Sequence, residues 1–77
     1  MTKNDNFALL MKFLRERAGL SARQLSLDAG LSASYVSKIE SGVVLPTISS
    51  FAHIIQKLDV SPFEVSYLLQ TLVKDKE

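Results

Sequence analysis

Cysteine is absent from this chain of 77 residues, which removes a disulfide scaffold and every Cys-based zinc or redox centre. Glycine and proline are scarce, at three and two residues, while 47% of the residues are hydrophobic, a balance that excludes a disordered tail or a fibrous repeat. Long apolar runs are missing as well. The longest, Phe7 to Met11, is closed by Lys12 and falls far short of a membrane span or of a signal peptide's apolar region. Histidine occurs once, at His53, with no Gly-rich phosphate loop and no HExxH motif, so neither metal nor nucleophile chemistry has a constellation to rest on. The expectation is a protein that is no enzyme, holds no metal or cofactor, and shows no sign of a small-molecule ligand or a membrane.

Charge of one sign is also lacking, since the net charge of +1 is too small to mark a nucleic-acid binder by itself. Its distribution is more informative. Residues 1–38 carry six basic side chains (Lys3, Lys12, Arg15, Arg17, Arg23, Lys38) against three acidic ones (Asp5, Glu16, Asp28), whereas the remainder carries three against five. The first half is therefore suited to approach an anion. A chain of this length makes one domain, residues 1–77, and its core is marginal by size, which points toward association.

What is present is punctuation for five helices. Phe7, Met11, Leu14 and Ala18 form a helical stripe that Gly19 ends, giving a first helix from about Asp5 to Ala18. Ser21-Ala22-Arg23-Gln24 has the form of a capping box, with Leu20 and Leu25 as a hydrophobic staple, and opens a short second helix that stops before Gly30. Ser32 is the expected cap of a third helix, about Ala33 to Ser41, stapled by Leu31 and Val36 and stopped by Gly42. Pro46 blocks continuation, Thr47 caps a fourth helix, and Phe51, Ile54, Ile55 and Leu58 give that helix its apolar stripe. Ser61-Pro62-Phe63-Glu64 opens the fifth, about 62–74, with Val60 and Val65 as staple. The fold class is all-α.

Two short helices joined by Gly30-Leu31-Ser32 have the plan of a helix-turn-helix over about residues 21–41, although the spacing alone also fits an ordinary bundle of short helices. Leu25, Ala29, Leu31, Val36 and Ile39 are the expected buried positions. Ala33, Ser34, Tyr35, Ser37, Lys38 and Ser41 are then left facing outward, small and hydroxyl-bearing enough for a helix to sit deep in a major groove, with Lys38 in reach of guanine acceptors.

The segments Leu14-Arg15, Ala18-Gly19-Leu20-Ser21, Ala29-Gly30-Leu31-Ser32, Tyr35 through Gly42, Pro46-Thr47 and Leu58-Asp59-Val60-Ser61-Pro62 together resemble the lambda-repressor-like family, the Cro/CI or XRE type of helix-turn-helix regulator. The resemblance covers nearly the whole chain. It implies a five-helix DNA-binding domain and, at this length, similarity to small stand-alone dimeric regulators such as restriction-modification controller proteins. Carried over by position, it implies that Ala33, Ser34, Tyr35 and Lys38 face bases, that Ser21, Ser32, Ser37 and Ser41 contact phosphates, and that Arg15 and Glu40 form a partly buried ion pair. The implied partner is a double-stranded DNA operator of pseudo-palindromic sequence, bound by a cytoplasmic homodimer, because two recognition helices must enter successive major grooves.

The chain departs from that pattern at several places. Ala22 stands where a Gln is usual, Ser26 where a small Ala packs between the two helices, and Val43-Val44-Leu45 where the loop is often basic. Leu9, Leu10 and Phe13 add apolar surface to the first helix. Fewer cations imply weaker non-specific binding, and the extra apolar residues suggest a protein partner. Leu69, Leu72 and Val73 in the second half of the fifth helix are the expected centre of the dimer contact. The competing expectation, from another class, is a protein-interaction module such as an antitoxin or antirepressor-like partner.

Overall fold

The computed structural model describes the backbone of residues 5–76 and the side chains of residues 6–73. Among these residues there is no strand, and five helices follow in order: α1 (Asp5–Arg17), α2 (Ala22–Asp28), α3 (Tyr35–Glu40), α4 (Ile48–Lys57) and α5 (Pro62–Lys76). Helix α1 packs on α5 and α3, and α2 packs on α3 and α4. One core joins them. It is built from Phe7, Met11 and Leu14 of α1, Leu25 and Ala29, Val36 and Ile39 of α3, Phe51, Ile54 and Leu58, and Leu68 of α5. The Phe7 and Phe51 rings meet at 6.1 Å between centroids, tilted by 40°.

The first three helices end in the same way. After each, a glycine N–H bonds back to the second-last helical carbonyl, as Gly19 does to Glu16 and Gly30 to Leu27, and the next residue's N–H reaches one carbonyl further, Leu20 to Arg15 and Leu31 to Ser26. Gly30 has φ +75°, and a Cβ added there meets nothing within 4 Å, so the backbone angle rather than lack of space selects glycine at this turn.

Five details differ from expectation. Ala18 is exposed because α1 has already ended at Arg17, and Leu31 is only half-buried in its turn. The Ser21 capping box is half-formed: Ser21 Oγ accepts the Gln24 N–H at 3.0 Å, but the Gln24 amide donates forward to Asp28 Oδ1 at 2.6 Å instead of back to Ser21. Helix α3 begins two residues late, at Tyr35, with Ser34 as the flanking residue and no side-chain cap from it or from Ser32. Finally, Leu72 turns inward against the core, so the outward strip of α5 is Leu69 and Val73 without it.

The opening of α5 is tied to the end of α1. Ser61 Oγ accepts the Glu64 N–H at 3.2 Å and Glu64 Oε1 accepts the Ser61 N–H at 2.9 Å, a complete capping box. Arg17 grips the same carboxylate with both terminal nitrogens, Nη2 to Oε1 at 2.9 Å, and also donates to the Asp59 carbonyl at 3.0 Å. The Arg17 bond, followed by the Ser61 N–H, holds the Glu64 carboxyl at about 2, below its ordinary 4.5. A carboxyl lowered by folding adds stability that is fully present above about pH 4.5 and is lost as the pH falls through about 2. Glu64→Gln should therefore flatten the acid limb of a stability–pH curve between those values while leaving the neutral-pH shape intact. An acid limb identical to wild type would show that the contact contributes nothing.

Candidate nucleic-acid interface

The surface of α3 is small and wet. Ser34, Ser37, Lys38 and Ser41 are exposed at spacings of three, one and three residues, which keeps them on neighbouring rows of one helix face. Ala33 and Tyr35 are half-buried, and Tyr35 packs against the core, so at most part of its side chain faces outward. Ser21 and Ser32 are exposed ahead of α2 and α3. The hydroxyls differ in what they have left to offer. Ser21 Oγ already accepts a backbone N–H, which leaves its proton for an outside acceptor, whereas Ser37 donates to the Ser34 carbonyl at 3.4 Å and Ser41 to the Lys38 carbonyl at 3.1 Å. Those two must rotate before they can donate to a phosphate.

Cations are few around this face. Lys38 and Arg23 are exposed, while the loop beyond α3 presents Val43 at 70% exposure and α4 opens with Ile48 at 79%. Affinity that rests on counterion release is correspondingly small. Among the described residues no group of three or more His, Cys, Asp or Glu side chains gathers to hold a metal ion.

Helix α3 is fixed at its far end by Arg15. Nε of Arg15 donates to Glu40 Oε2 at 2.7 Å, Nη2 to Oε1 at 3.0 Å, and Nη1 to the Leu20 carbonyl at 2.6 Å. The two side chains are only 11% and 9% exposed. The Glu40 hydrogen bond raises the Arg15 guanidinium above its ordinary value, although desolvation works against it. One side chain thus ties α1, the turn before α2 and the last residue of α3 together, and the planar fork of arginine is what allows three simultaneous bonds.

The near end is fixed by a residue that spacing did not reveal. Ser26 of α2 is fully buried; its Oγ donates to the Ala22 carbonyl at 2.8 Å and accepts the Val36 N–H at 3.0 Å. The first-turn amide of α3 is thereby capped from another helix, while the flanking Ser34 side chain makes no cap of its own. The available signal was a lone hydroxyl on the apolar face of α2 between Leu25 and Ala29.

The family model described as helix-turn-helix matches residues 11–65, which run from the middle of α1 into the first turn of α5 and include the whole α2–turn–α3 unit. No curated protein and no solved structure matches the chain.

Removing one partner of a nearly buried pair leaves the other charge desolvated, and Glu40→Ala should cost about 3 kcal/mol. In a domain of this size that lowers Tm by more than about 10 °C in thermal denaturation. A Tm within experimental scatter of wild type would mean that the Leu20 carbonyl alone suffices to hold Arg15.

Proposed function

The chain belongs to the helix-turn-helix family, of the XRE or lambda-repressor-like type, and from that premise we propose that it is a sequence-specific regulator of transcription that binds a pseudo-palindromic operator as a homodimer in the cytoplasm. The observation that carries this reading is the exposed face of α3, where Ser34, Ser37 and Ser41 surround the single cation Lys38. Short side chains let the helix backbone approach base edges closely, and an ammonium among them reaches the guanine O6 and N7 acceptors. Ala33, Ser34, Tyr35 and Lys38 are assigned to bases and Ser21, Ser32, Ser37 and Ser41 to phosphates. Of these, Ser21 is best prepared by its spare proton and Tyr35 is most constrained by its packing.

Distance supports the dimer. The principal extents of 30 × 25 × 21 Å are each shorter than the separation of successive major grooves, about 34–36 Å. One copy therefore reaches one half-site. The strip that supports pairing is Leu69 and Val73 of α5, exposed at 38% and 58% beside Ser66 and Gln70. Leu72, turned into the core, acts beneath it as a support. A second reading, a protein-interaction module, is favoured by another surface: Leu9 and Phe13 of α1 and Phe63 and Tyr67 of α5 are all more than half exposed along the α1–α5 groove.

The test begins with selection of bound fragments from random duplexes, which gives the operator. Lys38→Ala should then lose about 1–3 kcal/mol of operator binding and relax specificity at one base position. Equal losses on operator and random DNA would assign Lys38 to phosphate only, and failure of the wild type to enrich any sequence would favour the interaction module.

The pairing surface is tested separately. Leu69→Asp should give a folded, helical monomer with weak operator binding, since each half-site then binds without its linked neighbour. Light scattering decides: a wild-type chain that stays monomeric at high concentration, or a mutant that stays dimeric, overturns this interface.

A further inference from the structure

We propose that Ser26 is a positioning residue for DNA recognition: its buried hydroxyl sets where α3 begins and how it lies against α2, and so aims the exposed side chains of α3. The proposal rests on the reading of α3 as the recognition helix.

Three observations converge on this residue. The Ser26 backbone carbonyl accepts the Leu31 N–H at 2.9 Å, at the start of the turn, and its Oγ accepts the Val36 N–H at 3.0 Å, at the end of it. The chain from Leu31 to Val36 therefore hangs from both polar groups of one residue. Donation by Oγ to the Ala22 carbonyl at 2.8 Å commits the single hydroxyl proton, which fixes the side-chain rotamer and leaves the oxygen lone pairs aimed at α3. Ser26 is 0% exposed, so no water is at hand to replace the bond.

The geometry at α3 makes this bond matter. Val36 is the second residue of a helix of six, and the flanking Ser34 supplies no side-chain cap. A helix so short cannot define its own first turn. Without the hydroxyl, the Val36 amide is a buried donor with no acceptor, and the segment regains one only by shifting. Ser34 lies two residues before Val36 and Lys38 two residues after, so a shift at Val36 displaces the two exposed side chains among those assigned to base edges. Random DNA, held through phosphates, tolerates that displacement better than an operator does.

The experiment compares wild type, Ser26→Ala, Ser26→Cys and Ile54→Val. Ile54 is buried in α4 and lies outside the proposed DNA contacts, so Ile54→Val lowers stability by a core methyl group without touching the α2–α3 bond. The readouts are the ratio of operator to random-duplex affinity, measured well below each Tm, and the hydrogen exchange rate of the Val36 amide. Ser26→Ala should speed Val36 exchange and lower the ratio roughly tenfold, the scale on which one misaligned base contact discriminates. Ser26→Cys, which retains a weaker donor and acceptor, should fall between, and it provides the comparison if the alanine variant does not fold. Ile54→Val should leave the ratio within about twofold of wild type. An unchanged ratio in Ser26→Ala, or an equal fall in Ile54→Val, overturns the positioning role while leaving DNA recognition intact. A wild-type chain with no sequence preference overturns DNA recognition itself, and the positioning role with it.

Discussion

A helix of six residues cannot hold its own shape in water, because ordering its first turn costs more free energy than its few internal bonds supply. Helix α3 is such a helix, and its geometry must be imposed from outside. At its start the amide of Val36 is held by Ser26 from α2, and at its end the carboxylate of Glu40 is held by Arg15 from α1. Between the two, Val36 and Ile39 anchor its inner face in the core. The exposed face is therefore held in place from behind. This is the arrangement that close contact with a base edge requires, since recognition groups must be held to within about 0.5 Å by the packing and hydrogen bonds beneath them.

The same constraint explains the unusual balance of charge. Net charge is +1, and the loop beyond α3, where phosphate contacts would gain most from cations, carries Val43, Val44 and Leu45. With little counterion release available, the proposed DNA binding rests more on how the α3 surface is aimed than on charge. In the proposed homodimer, a second linked contact strengthens binding without a single added charge.

Helix α5 is arranged around this division of labour. Leu68 and the half-buried Val65 and Leu72 close the chain's own core, while Leu69 and Val73 emerge on one side and Phe63 and Tyr67 on the other. Its start is gripped by Arg17 through Glu64 and the Asp59 carbonyl. These contacts fix the direction in which α5 leaves the end of α1.

Much of this was legible in the chain itself. Helix ends at Gly19, Gly30 and Gly42, the Thr47 cap and the reciprocal Ser61–Glu64 box are local events decided within four or five residues, and each appears where the residues place it. The inward stripes at Phe7, Met11 and Leu14 and at Phe51, Ile54 and Leu58 follow from helical period alone. The expected Arg15–Glu40 pair is present, yet its reach to the Leu20 carbonyl and its near-complete burial depend on three segments meeting. Ser32 lost the role of cap because α3 begins only at Tyr35, whose N–H bonds to the Ser32 backbone carbonyl, and Leu72 packs against the core instead of joining the outward strip. Sequence by itself determined the elements, their order and the outward placement of Ser34, Ser37, Lys38 and Ser41, though not of Ala33 and Tyr35, which are half-buried. Where α3 begins, and which face of α5 remains open, were decided only by tertiary structure, because the groups that settle them are ten or more residues away and compete for the same bond or the same space.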